Sequence, residues 1–173
     1  MSFLAETGAD LPLGTILARL GLALLFGSLV GLDRQIHHKP AGLRTLMLVC
    51  LGACAFTVVA SVHRGADGNL MTTADASRII QGIVGGIGFL GAGVIIHTGV
   101  KTAGITTAAA IWVTAAIGVA FGLGEYRLGI AAGLLAVVTL ATVGRIEYKV
   151  FSPDTQDQPP PVGPQPQTSK PQE

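Results

Sequence analysis

Apolar residues in this chain come in long blocks, and the charged residues cluster in the gaps between them. A hydrocarbon core about 30 Å thick is crossed by about twenty helical residues rising about 1.5 Å each. Five blocks meet that length: roughly Leu13–Leu32, Leu43–Val62, Ile79–Thr98, Ala103–Leu123 and Leu128–Gly144. The pattern predicts an all-α fold, a polytopic membrane bundle of five transmembrane helices. Asp10 is the expected N-cap of the first helix, with Pro12 accommodated in its first turn. Thr72 followed by Asp75 resembles a loose capping box, so the third helix is expected to begin before its apolar block does. The short Lys101–Gly104 link makes the third and fourth helices antiparallel neighbours. The opening MSFLAETGAD lacks a basic leader region, and the block after it exceeds a typical signal core, so a retained helix is expected there.

The third block carries Gly82, Gly85, Gly86, Gly88, Gly91 and Gly93. Each interior glycine weakens a water-exposed helix by about 1 kcal/mol relative to alanine. In a bilayer, glycine instead permits close backbone approach, and Gly82/Gly86 and Gly88/Ala92 repeat the required four-residue spacing. This helix is therefore expected at the packed centre of the bundle. Gly27/Gly31, Gly118/Gly122 and Gly129/Gly133 offer further docking faces. These exceed the evident needs of a five-helix monomer, which points to a homo-oligomer or another inner-membrane protein as partner. Trp112, in mid-span, is expected to pack against a glycine-rich neighbour.

Composition strengthens the membrane reading: half the 173 residues are hydrophobic, and the mean hydropathy is +0.60. A net charge of +1 gives no reason to expect nucleic-acid binding. The basic residues set orientation. Arg34, Lys39, Arg44, Lys101, Arg145 and Lys149 fall on one side of a five-span topology; Arg64, Arg78 and Arg127 fall on the other, beside Asp67, Asp75 and Glu125. The bias predicts an N-terminus outside and a C-terminus in the cytoplasm. Residues 1–12 are then a short extracytoplasmic segment, and 13–150 the membrane domain. The Pro/Gln-rich run 151–173 has too little apolar surface to fold alone and is expected to be a disordered cytoplasmic tail. Cys50 and Cys54 share one apolar block and serve as small buried residues.

Few residues suggest chemistry. Arg19, near the start of the first span, either snorkels to the headgroups or faces the interior against an acid or helix carbonyls. Asp33 and Arg34 end that helix and Arg44 opens the next; an Asp33–Arg44 ion pair across the hairpin is expected, the alternative being a cation entrance at Asp33. The adjacent His37 and His38 diverge on any regular backbone and read as a solvated loop. Arg78, Gln81, Thr106, Thr107 and Thr114 are the other polar positions near or within spans. The threonines are expected to bond back to their own helix, or else across helices. No catalytic grouping, phosphate-cradling loop or zinc pattern is present in the sequence. Enzymatic activity, a cofactor and a bound metal are therefore not expected.

The segments GLDRQIHHKPAGLRTLMLVCLGACAF, RIIQGIVGGIGFLGAGVII and GITTAAAIWVTAAIGVAFG together resemble the MgtC/SapB family of bacterial inner-membrane proteins. The likeness covers nearly all of Leu13 to Arg145 in order and spacing. It implies five membrane helices, a multi-pass protein of the inner membrane, and a role in growth under magnesium limitation or in survival within host phagocytes. Such proteins are described as regulators acting through membrane partners, the ATP synthase among them. Two features depart from the family pattern. Only one acid flanks the arginine in Asp33-Arg34-Gln35, and the Pro/Gln tail stands where virulence-associated members carry an ACT-like domain. The resemblance thus implies the transmembrane domain alone. Regulation of membrane proteins in stress adaptation is the expected function, with an oligomeric magnesium or other cation transporter as the alternative.

Overall fold

The fold is described from a computed structural model, over residues 11–62, 73–98 and 101–150. Asp10, Thr72 and the tail from 151 onward, on which expectations were placed, lie outside the described residues. Five helices follow one another: α1 (Leu13–Ile36), α2 (Leu43–Val62), α3 (Thr73–Val94), α4 (Ile105–Leu123) and α5 (Tyr126–Val150). The architecture is the all-helical membrane bundle that the blocks predict. A short antiparallel ribbon, β1 (Ile96–Thr98) with β2 (Lys101–Ala103), joins α3 to α4 and pairs Ile96 with Ala103. Helix α3 starts at Thr73, well ahead of its apolar block. Pro12 occupies the N-cap position of α1 and not its first turn, its carbonyl accepting from the N–H of Thr15 at 2.8 Å.

Among the described residues, α1 to α4 contain stretches long and apolar enough to cross a membrane. Helix α5 carries its uncharged run at Leu128–Gly144, between Arg127 and Arg145. Bulky apolar side chains cover the outside, among them Leu13, Leu17, Phe56, Phe89 and Leu135. Water would make that surface an aggregation hazard, whereas lipid solvates it without penalty.

The centre of the bundle is α4, not α3. Over half of the apolar window of α4 is buried, against 6% for α3. Three of the four glycine–glycine pairs are closed by neighbours. Gly27 and Gly31 of α1 lie against Met47, Cys50 and Leu43 of α2; Gly118 and Gly122 of α4 lie against Cys50, Ala53 and Thr57; Gly129 and Gly133 of α5 meet the rings of Phe121 and Phe26. Those rings pack on each other at 5.3 Å and 45°. Among the described residues, Gly82, Gly85, Gly86, Gly88 and Gly93 have nothing near the position of a side chain, and Gly91 touches only Ala108. Trp112, expected to pack against a glycine-rich neighbour, is instead more than half exposed. Cys50 and Cys54 are free thiols, fully buried at the junction of α1, α2 and α4.

Candidate functional site

Two arginines of α1 reach the two ends of α4. Arg19 donates from Nη1 to the carbonyl oxygen of Gly122 at 2.6 Å. That carbonyl belongs to the last turn of α4, where backbone acceptors have no partner further along the helix. The chain leaves the helix at Gly124, whose φ of +84° favours glycine, while the N–H groups of Gly124 and Glu125 bond back to Phe121 and Ala120. Arg19 supplies a donor to the carbonyl this turn leaves over. Of its two expected placements, the interior one against helix carbonyls is the one observed.

Arg34 is 4% exposed, and its Nη2 donates to the hydroxyl of Thr107, in the first turn of α4. Its Nε, like that of Arg19, is buried with no partner among the described residues. Because Arg19 meets the end of α4 and Arg34 its start, α1 and α4 run antiparallel over nearly their full length. Thr107 thus bonds across helices, while Thr114 bonds back to the carbonyl of Ala110 at 2.7 Å. Thr57, not anticipated as a functional position, is also buried and bonds back to Ala53 at 2.7 Å. Its only advance signal was a hydroxyl in an otherwise apolar block.

The expected Asp33–Arg44 ion pair does not form, and Asp33 instead makes a local contact. Asp33 Oδ1 lies 3.5 Å from His37 Nδ1, four residues on along the same helical face, and Arg44 is exposed. His37 Nδ1 is also 2.7 Å from the Asp33 backbone oxygen, which can only accept, so that nitrogen donates. His38 is exposed with a φ of 50°. Arg78, Gln81 and Thr106 are exposed as well, so these three candidates do not join Arg34 and Thr107. A cavity of about 580 Å³ beside the α1–α2 turn is lined by Gln35, Pro40, Gly42, Leu43, Arg44 and Thr45. A second cavity, about 400 Å³ and apolar, lies between α2 and α3 along Gly82 and Gly86.

A bundle of apolar helices with two arginines tying its first helix to its fourth defines a multi-pass helical membrane protein. Residues 20–149 match the MgtC family, and the chain belongs to it. It is 39% identical to SrpB of Synechococcus elongatus, over 75% of each chain. It is 41% identical to MgtC of Brucella abortus, over 76% of this chain and 49% of that protein. YhiD of Escherichia coli K12, described as a proposed magnesium transporter, is 38% identical over 78% of this chain and 63% of its own length. The chain thus spans about half of the Brucella relative. No solved structure matches it.

Proposed function

We propose that the chain is a regulator in the bacterial inner membrane, acting in adaptation to magnesium limitation or related stress by docking another membrane helix on α3. The observation that carries this reading is the contrast among the small-residue pairs. Three are filled within the chain, and Gly82/Gly86 is left open beside an apolar groove lined by Val49, Gly52, Phe56 and Ile83. A surface of that kind lets a second backbone approach closely, which is the main source of helix association in lipid. The partner is a second copy or another inner-membrane protein. The link to magnesium comes from the relatives, through the description of YhiD and the family the chain shares with MgtC.

Cation transport is the second reading, favoured by the description of YhiD. Set against it, the buried polar side chains among the described residues are Arg34, Thr57, Thr107 and Thr114, none of which attracts a cation strongly, while a buried arginine repels one. Helix α3 is also continuous from Thr73 to Val94, without the break that would free carbonyls for a cation path.

One preparation tests both readings. Gly86→Leu should abolish cross-linking to the partner or second copy in native membranes while the purified chain keeps its helicity. Unchanged cross-linking would overturn the docking face. Magnesium flux into proteoliposomes containing the wild-type chain would make transport the leading function.

A further inference from the structure

Helix α3 is anchored near its C-terminal end. Gly91 is buried there, its side-chain position 3.6 Å from Cβ of Ala108, and the carbonyl of Val94 lies against Gly104, just before α4. From Ser77 to Leu90 no residue of α3 is buried. Over Ile79–Ile87 the helix stands off from α2 across the apolar cavity of about 400 Å³. The open glycines here are not confined to α3. Gly52, on the α2 wall, also has nothing within 4 Å of its side-chain position among the described residues. Small residues therefore line both walls of the cleft, with Val49 and Phe56 beside them on α2 and Ile83 between them on α3. The two walls are antiparallel. Helices α2 and α4 run parallel, Cys50 meeting Gly118 and Cys54 meeting Gly122, whereas α3 and α4 run antiparallel through Gly91–Ala108 and Val94–Gly104. Phe56 and Ile79 thus share the end of the cleft farthest from Gly91.

Apolar walls held apart forfeit dispersion contacts on both sides, and small residues are the surface that lets two helices approach closely enough to recover them. What faces the open glycines of α3 across the cleft is therefore the chain's own matching wall. We propose that α3 turns about its Gly91–Ala108 contact and closes onto α2, seating Gly82 and Gly86 against the Gly52 side of that helix. The moving part is a continuous helix, and the bend falls between Val94 and Ile105, where helix gives way to the short ribbon and to Gly104 at φ +90°. Resting on the docking reading above, closure has a consequence for the partner. It covers the Gly82/Gly86 face, so closure and partner binding exclude each other, and α2 acts as an internal competitor for the site. A partner shifts the chain to the open arrangement only by its preference for that arrangement.

The test uses the full chain in lipid nanodiscs holding one copy each, so that neither a partner nor a second copy is present. The double variant Phe56→Cys/Ile79→Cys should form a disulfide on mild oxidation, identified by mass spectrometry of the linked peptides. The native Cys50 and Cys54 are fully buried and are kept. Adding Gly52→Leu, which fills the cleft at a position with open space, should slow that disulfide at least tenfold while circular dichroism shows unchanged helicity. Absence of the disulfide in the folded double variant overturns closure, as does an equal rate with Gly52→Leu, which would mean that the two positions meet without closing. In native membranes, the oxidised double variant should lose at least nine-tenths of its cross-linking to the partner and regain it on reduction. Retained cross-linking overturns the exclusion. The docking reading is tested apart from this, by Gly86→Leu in the unlinked chain, and its failure leaves the nanodisc result standing.

Discussion

At Gly118 a single methyl group would separate α4 from α2. A side-chain carbon built there falls 2.3 Å from the backbone oxygen of Cys50, and one at Gly122 falls 2.6 Å from Cβ of Thr57. Backbone cannot swing aside as the end of a long side chain can, so the whole helix has to shift. Gly118→Ala should therefore destabilise the bundle by about 1–3 kcal/mol, the usual range for overpacking. Gly85→Ala, with nothing within 4 Å, should change stability by less than about 0.5 kcal/mol. Thermal unfolding of the two variants in the same detergent separates these outcomes. The small-residue spacing of Gly118/Gly122 and of Gly82/Gly86 was legible in the sequence, but the spacing is identical in both. Which pair meets a neighbour depends on the rotation of each helix, and no local residue encodes that. The same limit applied to Arg34 and Thr107, both visible as polar positions yet joined only by the packing of α1 on α4.

Among the helices, α4 holds the central place expected of α3, and the reason is physical. In water, an apolar face marks the core, so periodicity locates the interior. Lipid is as apolar as leucine, and the outside of a membrane helix therefore reads like its inside. What distinguishes α4 is the set of small and hydroxyl side chains it buries, Thr107, Ala110, Thr114, Ala115 and Gly118 among them, which permits contact on several sides. The five helices and most of their boundaries were legible because length and hydropathy carry that information directly. Helix α5 depends on two rings, since Gly129 and Gly133 rest on Phe121 and Phe26. Phe121 is fully buried, and Phe121→Ala should cost about 3–5 kcal/mol by the scale of large-to-small core substitutions. The loss should also loosen α5 before the other helices. Hydrogen exchange should show faster exchange in α5 than in α2, and uniform acceleration across the bundle would count against a separate docking of α5.

For the whole molecule the open matter is how many times the chain crosses the bilayer, and α5 decides it. The uncharged run of α5 from Leu128 to Gly144, between Arg127 and Arg145, gives about 26 Å at about 1.5 Å per residue, slightly less than a core about 30 Å thick. A mismatch of that size is met by local thinning at a modest cost. Lying in the interface would instead strip α5 from Phe26 and Phe121, and it would expose glycine faces that those rings now cover. The balance favours a crossing. Arg145 and Lys149 then join Arg34, Lys39, Arg44 and Lys101 on one side, which the positive-inside bias makes the cytoplasm. The expected result is a C-terminal fluorescent-protein fusion that is bright in the cytoplasm, and a C-terminal alkaline phosphatase fusion that is inactive. A cysteine placed at His38, in the α1–α2 turn, should label from the same side in inverted vesicles, whereas one placed at Glu125, between α4 and α5, should label only from outside. Activity of the phosphatase fusion together with cytoplasmic labelling at His38 would mean that α5 does not cross, and that the chain has four spans with both termini outside.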